Sequence, residues 1–430
     1  MDDIRQQLER LGVRLGTTRP ERRPRKPLEP VEDLVGGEVI ETGRGPCVVV
    51  DQVYPPDHYH GQINIAAALT HGPEAIAGIA RDPGLSALEL NRSAFLDVET
   101  TGLAGGAGTY AFLVGIGWFE GQDFHVRQIF MRDYSEEPAL IALIEETVSP
   151  LSGIVSFNGK AFDVPLLEGC FIMSRQRFPL STAPHLDLLF TARRLWRLRL
   201  ESCSLSYLEP EILGVRRQDD VPSHLIPQIY FDYLRYGHVD PLRGVFYHNA
   251  QDILSLAALT ALSCRVFEDP HGEVEYGEDL YSLGRLYLQV GMTHRAEAAL
   301  RAALDADLSG NVRAAAFFDL SIHYKRQGRW EEATDLWHRA IHENHGRLYP
   351  FVELAKYYEH RVKDFGRAEE LVLRAIDLVE SPSLARAMWW RQRHMAELEH
   401  RLRRVQRKKA RLIETESRSP ESSSAIEKLP

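Results

Sequence analysis

The sequence predicts an α/β domain with a mixed sheet flanked by helices, followed by an all-α domain of repeats. Three observations carry this. An apolar run that delivers paired carboxylates, Phe95-Leu96-Asp97-Val98-Glu99, reads as a buried strand. Short apolar runs then alternate with helical patterns as far as residue 270. Beyond residue 277 the chain repeats itself, with Tyr287, Tyr324 and Tyr358 at intervals of 37 and 34 residues.

Composition limits the class. The 430 residues leave room for two or three domains, and 44% hydrophobic with 26% charged residues is the balance of a chain with a packed core. No run of 18 apolar residues is present, and the opening MDDIRQQLERLG is charged where a secretory signal is apolar. Cys47, Cys170, Cys203 and Cys264 lie far apart and form no C-x-x-C pair, so neither a zinc site nor a disulfide framework is read; the expected setting is a reducing cytoplasm. A net charge of −10 gives no whole-molecule attraction for nucleic acid, so such binding must come from local basic patches.

Residues 1–30 form a flexible basic segment: 1–16 read as a short helix and 17–30, TTRPERRPRKPLEP, as a linker that either touches phosphates or is a solvated tether. Residues 31–90 read as a small accessory region with short strands around Val48-Val49-Val50, broken by Pro55-Pro56 and Pro83-Gly84. His58, His60 and His71 lack a carboxylate or cysteine at matching spacing, so no metal site is read there.

Residues 91–270 hold the chemistry. Alternation along a strand puts Asp97 and Glu99 on one face. Two carboxylates so placed repel unless a proton or cation sits between them, and oxygen-only ligation suits Mg²⁺ or Mn²⁺. A solvated strand end is the other reading. The glycine-rich Ala104 to Thr109 lacks a G-K-[ST] ending and precedes a strand, so it is no phosphate-cradling P-loop; it allows close backbone approach beside the carboxylates. Strands are expected over Tyr110 to Phe119, Phe124 to Met131 and Gly153 to Phe157, with a helix over Glu136 to Ser149.

Asp163 then opens a helix carrying Leu166, Leu167, Cys170 and Phe171, where it serves either as a ligand or as an acid favoured by the helix dipole. Asn158 precedes it, as a site residue or a plain loop residue. His185-Leu186-Asp187-Leu188-Leu189 is expected to open another helix, followed by Thr191 to Arg199, which holds Arg193, Arg194 and Trp196 and no acid. Phosphate contact with stacking on Trp196, or a helix with one apolar and one solvated side, both account for that segment. In a long helix over Val245 to Phe267, His248 stands four residues before Asp252, one turn away on the same face. A histidine so placed can take a proton from a metal-bound water.

The ordered set of D-x-E after a strand, N-x-x-x-x-D opening a helix, and a His-x-x-x-D helix resembles the DEDD exonucleases of the ribonuclease H-like fold. Residues 91–265 resemble the YprB-type family within them, through Asp97 to Leu103, Gly105 to Tyr110, Ser156 to Leu167, Asp187 to Arg194, Ser202 to Leu205, and His248 to Asp252. The resemblance implies that Asp97, Glu99, Asp163 and Asp252 hold two divalent metals, Mg²⁺ or Mn²⁺, and that His248 is the base. It implies a metal-dependent nuclease, a 3′→5′ exonuclease, acting on single-stranded ends of DNA or RNA. DEDD enzymes carry Tyr four or His five residues before the last acid, whereas this chain has His248 at minus four and Tyr247 at minus five. Two-metal catalysis agrees with the residues: phosphodiester hydrolysis needs a hydroxide near neutral pH and a counter-charge for the leaving oxygen.

Residues 277–380 resemble tetratricopeptide repeats, with Leu283-Gly284, Tyr287, Ala296, Leu300 and Ala303 echoed by Leu320-Ser321, Tyr324, Ala333, Trp337 and Ala340, and by Leu354-Ala355, Tyr358, Ala368, Val372 and Ala375. Such stacks offer a groove to a protein partner. Residues 381–430 comprise a capping basic helix (384–412), whose Arg/Lys end either meets nucleic acid or is a solvated capping face, and a tail (415–430) with the composition of disorder. The other functional reading is a nucleic-acid-binding or scaffold protein on a catalytically weak nuclease fold.

Overall fold

The structure is a computed structural model that describes residues 30–102, 108–270, 272–343, 346–381 and 387–418. The expectations for residues 1–29, for most of the glycine-rich loop and for the C-terminal tail lie outside the described residues. Two compact units divide the chain: one takes Met1–Thr70, Ala87–Leu188 and Glu209–Ala261, the other His71–Ser86, Leu189–Leu208 and Leu262–Pro430.

The first unit is built on a seven-stranded sheet in the order β1-β2-β7-β6-β5-β8-β9. The strands are β1 (Glu38–Thr42), β2 (Gly45–Tyr54), β5 (Ser93–Thr100), β6 (Ala111–Glu120), β7 (Asp123–Phe130), β8 (Gly153–Ser156) and β9 (His185–Asp187); β3 (Tyr59–His60) and β4 (Ile63–Asn64) form a separate ribbon. Strand β5 is central. It runs antiparallel to β6, with Asp97 opposite Gly115, and parallel to β8, with Leu96 opposite Ser156. β8 is in turn parallel to β9, with Ser156 opposite Asp187. The C-terminal ends of three parallel strands therefore lie side by side, and in open α/β sheets that edge is where ligands bind.

Helices of this unit cover the sheet, among them α1 (Val31–Val35), α3 (Glu137–Val148) and α7 (Ile226–Tyr236). α3 starts with Pro138 in its first turn, where the missing N–H costs nothing, and buries Leu140, Leu143, Ile144 and Val148. Tyr230 of α7 stacks on Phe112 at 4.0 Å between centroids and donates its hydroxyl to the Met131 carbonyl at 3.0 Å. Phe95 meets Phe119 and Phe124 edge-on. α4 (Asp163–Met173) follows β8, and α8 (Leu242–Glu268) is the long helix. α8 is long and apolar enough to cross a membrane, but 83% of its most apolar window is buried within the protein.

Two expectations change. His185 to Asp187 is a strand, not the start of a helix, because β8 offers it a parallel edge in register; the helix α5 begins at Leu188. The segment before residue 90 is also not one accessory region. β1 and β2 extend the main sheet, β2 pairing with β7 from Val48–Phe130 to Tyr54–Phe124. Residues 71–86, with α2 (Pro73–Ala80), belong to the second unit.

The second unit is all helical. It contains α5 (Leu188–Trp196) from Leu189 on, α6 (Leu205–Leu208), and then α9 (Gly277–Gln289), α10 (Thr293–Asp305), α11 (Gly310–Arg326), α12 (Trp330–His342), α13 (Tyr349–Tyr357), α14 (Phe365–Glu380) and α15 (Met388–Arg418). The recurring sequence positions are its core: Tyr287, Leu300, Ala303, Tyr324, Ala333, Trp337, Leu354, Ala355, Val372 and Ala375 are all buried. Small residues sit where helices approach closely. A Cβ on Gly284 would lie 2.8 Å from the Leu300 side chain. Tyr358 differs from its counterparts. It is half-buried and opens a π-helical turn, Tyr358–Val362.

Candidate active site

Four acids distant in sequence meet at the C-terminal edge of the parallel strands. β5 supplies Asp97 and Glu99, the first turn of α4 supplies Asp163, and α8 supplies Asp252. Their fields act on one another. Asp97 is pushed well above the usual carboxylate range by burial and then by Asp252 and Asp163, with His248 and an Asn249 hydrogen bond opposing. Glu99 is raised in the same way, by burial and then Asp97, Asp252 and Asp163, with Arg217 opposing. Asp163 is pushed up to about 7, by burial first and then by Asp187. Like charges held together in a medium of low polarisability disfavour ionisation, and the missing ingredient is positive charge.

Neighbouring side chains fix these acids. Asn249 Nδ2 donates to Asp97 Oδ2 at 2.8 Å, and Gln128 Nε2 donates to Asn249 Oδ1 at 2.8 Å and to the Phe246 carbonyl at 2.8 Å. β6 has a glycine at the point of contact: a Cβ on Gly115 would lie 2.3 Å from Asn249 Oδ1. Asp187, at the end of β9, accepts from the Asn158 amide at 2.8 Å and the Lys160 amide at 3.2 Å. Asn158 itself takes a left-handed backbone, φ 66°, a conformation Asn tolerates better than most residues.

His248 is 6% exposed and lies beside Asp252, its Nε2 3.6 Å from Asp252 Oδ2 and 3.3 Å from Ser223 Oγ. Its other nitrogen, Nδ1, lies 2.9 Å from Asp220 Oδ1. A carboxylate at that distance pairs with an N–H on Nδ1, and in the neutral ring that tautomer has Nε2 as its acceptor. Tyr247 is 36% exposed, so the crossed pair resolves geometrically with the histidine next to the acid.

Arg217 is the main residue that sequence reading missed. Its buried guanidinium pairs with both Asp252 and Glu209 and reaches Asp220 at 3.2 Å. Glu209 lies in a π-helical turn, Glu209–Leu213, and accepts from Ser255 Oγ at 2.5 Å; Ser255 Oγ lies 2.7 Å from His60 Nε2. The histidine set aside as a metal ligand thus ends a polar chain, His60–Ser255–Glu209–Arg217–Asp252. Burial and the nearby Arg217 push His60 down to about 4, so it is neutral there.

The other nucleic-acid candidates lie in the second unit. Arg193 is exposed, and Arg194 Nη1 is 3.4 Å from the Ile79 carbonyl. Trp196 is 4% exposed, and an indole so enclosed offers no face for base stacking.

This edge of a mixed sheet, with acids gathered from β5, α4 and α8, matches a known class: a family model of the RNase H superfamily fits residues 94–263. Over 372 residues the chain is 32% identical to the protein described as "Uncharacterized protein YprB" of Bacillus subtilis (strain 168), covering 84% of this chain and 86% of that one. The chain belongs to that family, with an RNase H-like domain followed by a helical region.

Proposed function

We propose that the protein is a metal-dependent nuclease that hydrolyses phosphodiester bonds, acting as a DEDD-type 3′→5′ exonuclease. The observation that carries this reading is the convergence of Asp97, Glu99, Asp163 and Asp252 in one half-buried cluster that lacks matching positive charge. The donor set fits Mg²⁺ or Mn²⁺ by its chemistry, all oxygen and all carboxylate. It does not stand in ligating order: among the described residues no three His, Cys, Asp or Glu side chains form a metal-binding group. Asp97, Glu99, Asp163 and Asp252 would hold the ions, which when bound would activate water near neutral pH and offset charge on the leaving oxygen.

The chain's own residues do the rest. His248 Nε2 accepts the proton of the attacking water. Asp220 fixes the tautomer that leaves Nε2 open. Asn249 sets the Asp97 carboxylate, and Asp187 orders the loop before Asp163. Arg217 neutralises part of the acidic centre through Asp252. The helical unit, whose repeats we read as tetratricopeptide-like, offers its surface to a protein partner.

The test is time-resolved degradation of 5′-labelled single-stranded DNA and RNA with Mg²⁺ or Mn²⁺. A ladder shortening from the 3′ end, lost with EDTA, Asp97→Ala or Asp252→Ala, is the expected result. Cutting that survives Asp97→Ala refutes the assignment. One observation favours the alternative of a binding or scaffold protein: Arg217 already occupies an oxygen of Asp252. Oligonucleotide binding by a parent protein that cuts nothing would establish it.

A further inference from the structure

We propose that the outward face of α15 is a track for single-stranded nucleic acid. The helix has two differently treated sets of cations. Its inner side buries Leu398 and Val405, and the cations beside them are matched: Arg401, Arg404 and Lys408 all meet Glu359, and Lys409 meets Glu369 at 2.7 Å. The outer side is different. Trp389, Arg393, His400, Arg403, Arg407 and Arg411 follow one another at intervals of 4, 7, 3, 4 and 4 residues, which keeps them on one helical stripe. All six are exposed, Trp389 by 66%.

The stripe runs about 33 Å at 1.5 Å per residue. Arg393 pairs with Glu397 at 3.3 Å, but no ion pair among the described residues includes Arg403, Arg407 or Arg411. No acid stands on the stripe between Trp389 and Arg411; Glu397 and Glu399 flank it. Cations about 5–6 Å apart along a helix form a ladder that a sugar–phosphate backbone can follow. Arginine forks bind phosphate, and an exposed indole stacks on an unpaired base. An acidic peptide would satisfy the arginines and leave Trp389 without a partner, whereas a single strand satisfies both. In naming the same substrate class the proposal rests on the nuclease reading, but its residues lie outside the acidic centre.

The experiment measures binding, so its failure and that of the nuclease reading are separate. The full chain in EDTA is titrated against fluorescein-labelled oligothymidylate and oligouridylate, following anisotropy at several salt concentrations. The combined variant Arg403→Gln, Arg407→Gln, Arg411→Gln is expected to bind at least about tenfold more weakly. Its slope of log K against log salt should be shallower by about 2, since each single-strand phosphate contact contributes roughly 0.7. Trp389→Ala is expected to weaken binding about tenfold with the slope unchanged. The double variant Arg367→Gln, Arg374→Gln, on α14, should match the parent. A triple variant with the parent's affinity and slope overturns the proposal. So does a triple variant that keeps oligonucleotide binding and instead loses binding to phosphatidylserine vesicles.

Discussion

Two ionic clusters treat their carboxylates in opposite ways. In the second unit a single acid, Glu359, is met by Arg401 at 3.2 Å, Arg404 at 2.7 Å and Lys408 at 2.8 Å. Burial alone would raise its pKa, but the hydrogen bonds from Arg404 and Lys408 outweigh burial and bring it down to about 2. In the first unit Asp97, Glu99 and Asp163 stand together with Asp252, and the guanidinium that reaches them is Arg217. The pKa values of Asp97, Glu99 and Asp163 go up, not down. A cluster whose charges close within the protein holds the fold together. A cluster left short of positive charge is held for something from outside.

Substitutions in the two clusters should differ widely in the size of their effects. The largest effect is expected from Asp97→Asn or Asp252→Asn. Each should lower the cleavage rate at least about thousandfold, since metal-borne charge stabilisation amounts to several kcal/mol. Without metal, Asp97→Asn should melt no lower than the parent. Added Mg²⁺ should raise the melting temperature of the parent and leave that of the variants unmoved. If Asp97→Asn instead unfolds the metal-free protein, both clusters are structural and the contrast disappears.

Next in size is Glu359→Gln, which leaves three cations around a neutral group. We expect a loss of about 3 kcal/mol in urea unfolding of the helical unit, as for other broken buried pairs. Asp220→Asn should slow cleavage roughly 10–100-fold with little change in stability, the usual cost of losing a group that orients a working histidine. A pH–rate profile shifted along with that loss separates orientation of His248 from mere support of the fold. Gly115→Ala should push Asn249 off Asp97, costing about 1–3 kcal/mol in overpacking and slowing cleavage by roughly tenfold.

The smallest effect is a matter of pH. The folded-state pKa of Glu359 lies below its ordinary value of 4.5, so its contribution is present above about pH 4.5 and fades as pH falls towards 2. Acid titration followed by circular dichroism should show α15 loosening in that window, and Glu359→Gln should flatten the curve.

Local pattern made much of this legible. β5 and its acids stand out because an apolar run is long enough to form a buried strand and D-x-E at its end puts both carboxylates on one face. The helical region was legible because the small and aromatic positions that recur in sequence lie in its core. His248 and Asp252 share a helix, so their spacing alone placed them together. Arg217 left no such trace. It lies 35 residues before Asp252 in an irregular segment, and its partners come from the π-helical turn, from α8 and from its own segment. Asp220, in the same segment, was hidden for the same reason. Asn249 and Ser255 were nearer to view, one beside His248 and one a turn beyond Asp252. His185 to Asp187 misled because a three-residue strand is defined by the neighbour it pairs with, and β8 is invisible in its own letters.

The two units are interleaved along the chain, and this has a consequence for how the protein is made. The chain passes from one unit to the other after Thr70, Ser86, Leu188, Leu208 and Ala261. During synthesis, β5 and its acids leave the ribosome long before α8 brings Asp252, so an emerging chain carries half of the acidic centre with nothing opposite it. The segment around α2 waits longer still, until the helices beyond Leu262 arrive. Neither unit corresponds to a single uninterrupted stretch of coding sequence. Recombination or truncation at a single point therefore cannot pass on the RNase H-like unit intact without carrying pieces of its helical neighbour along with it.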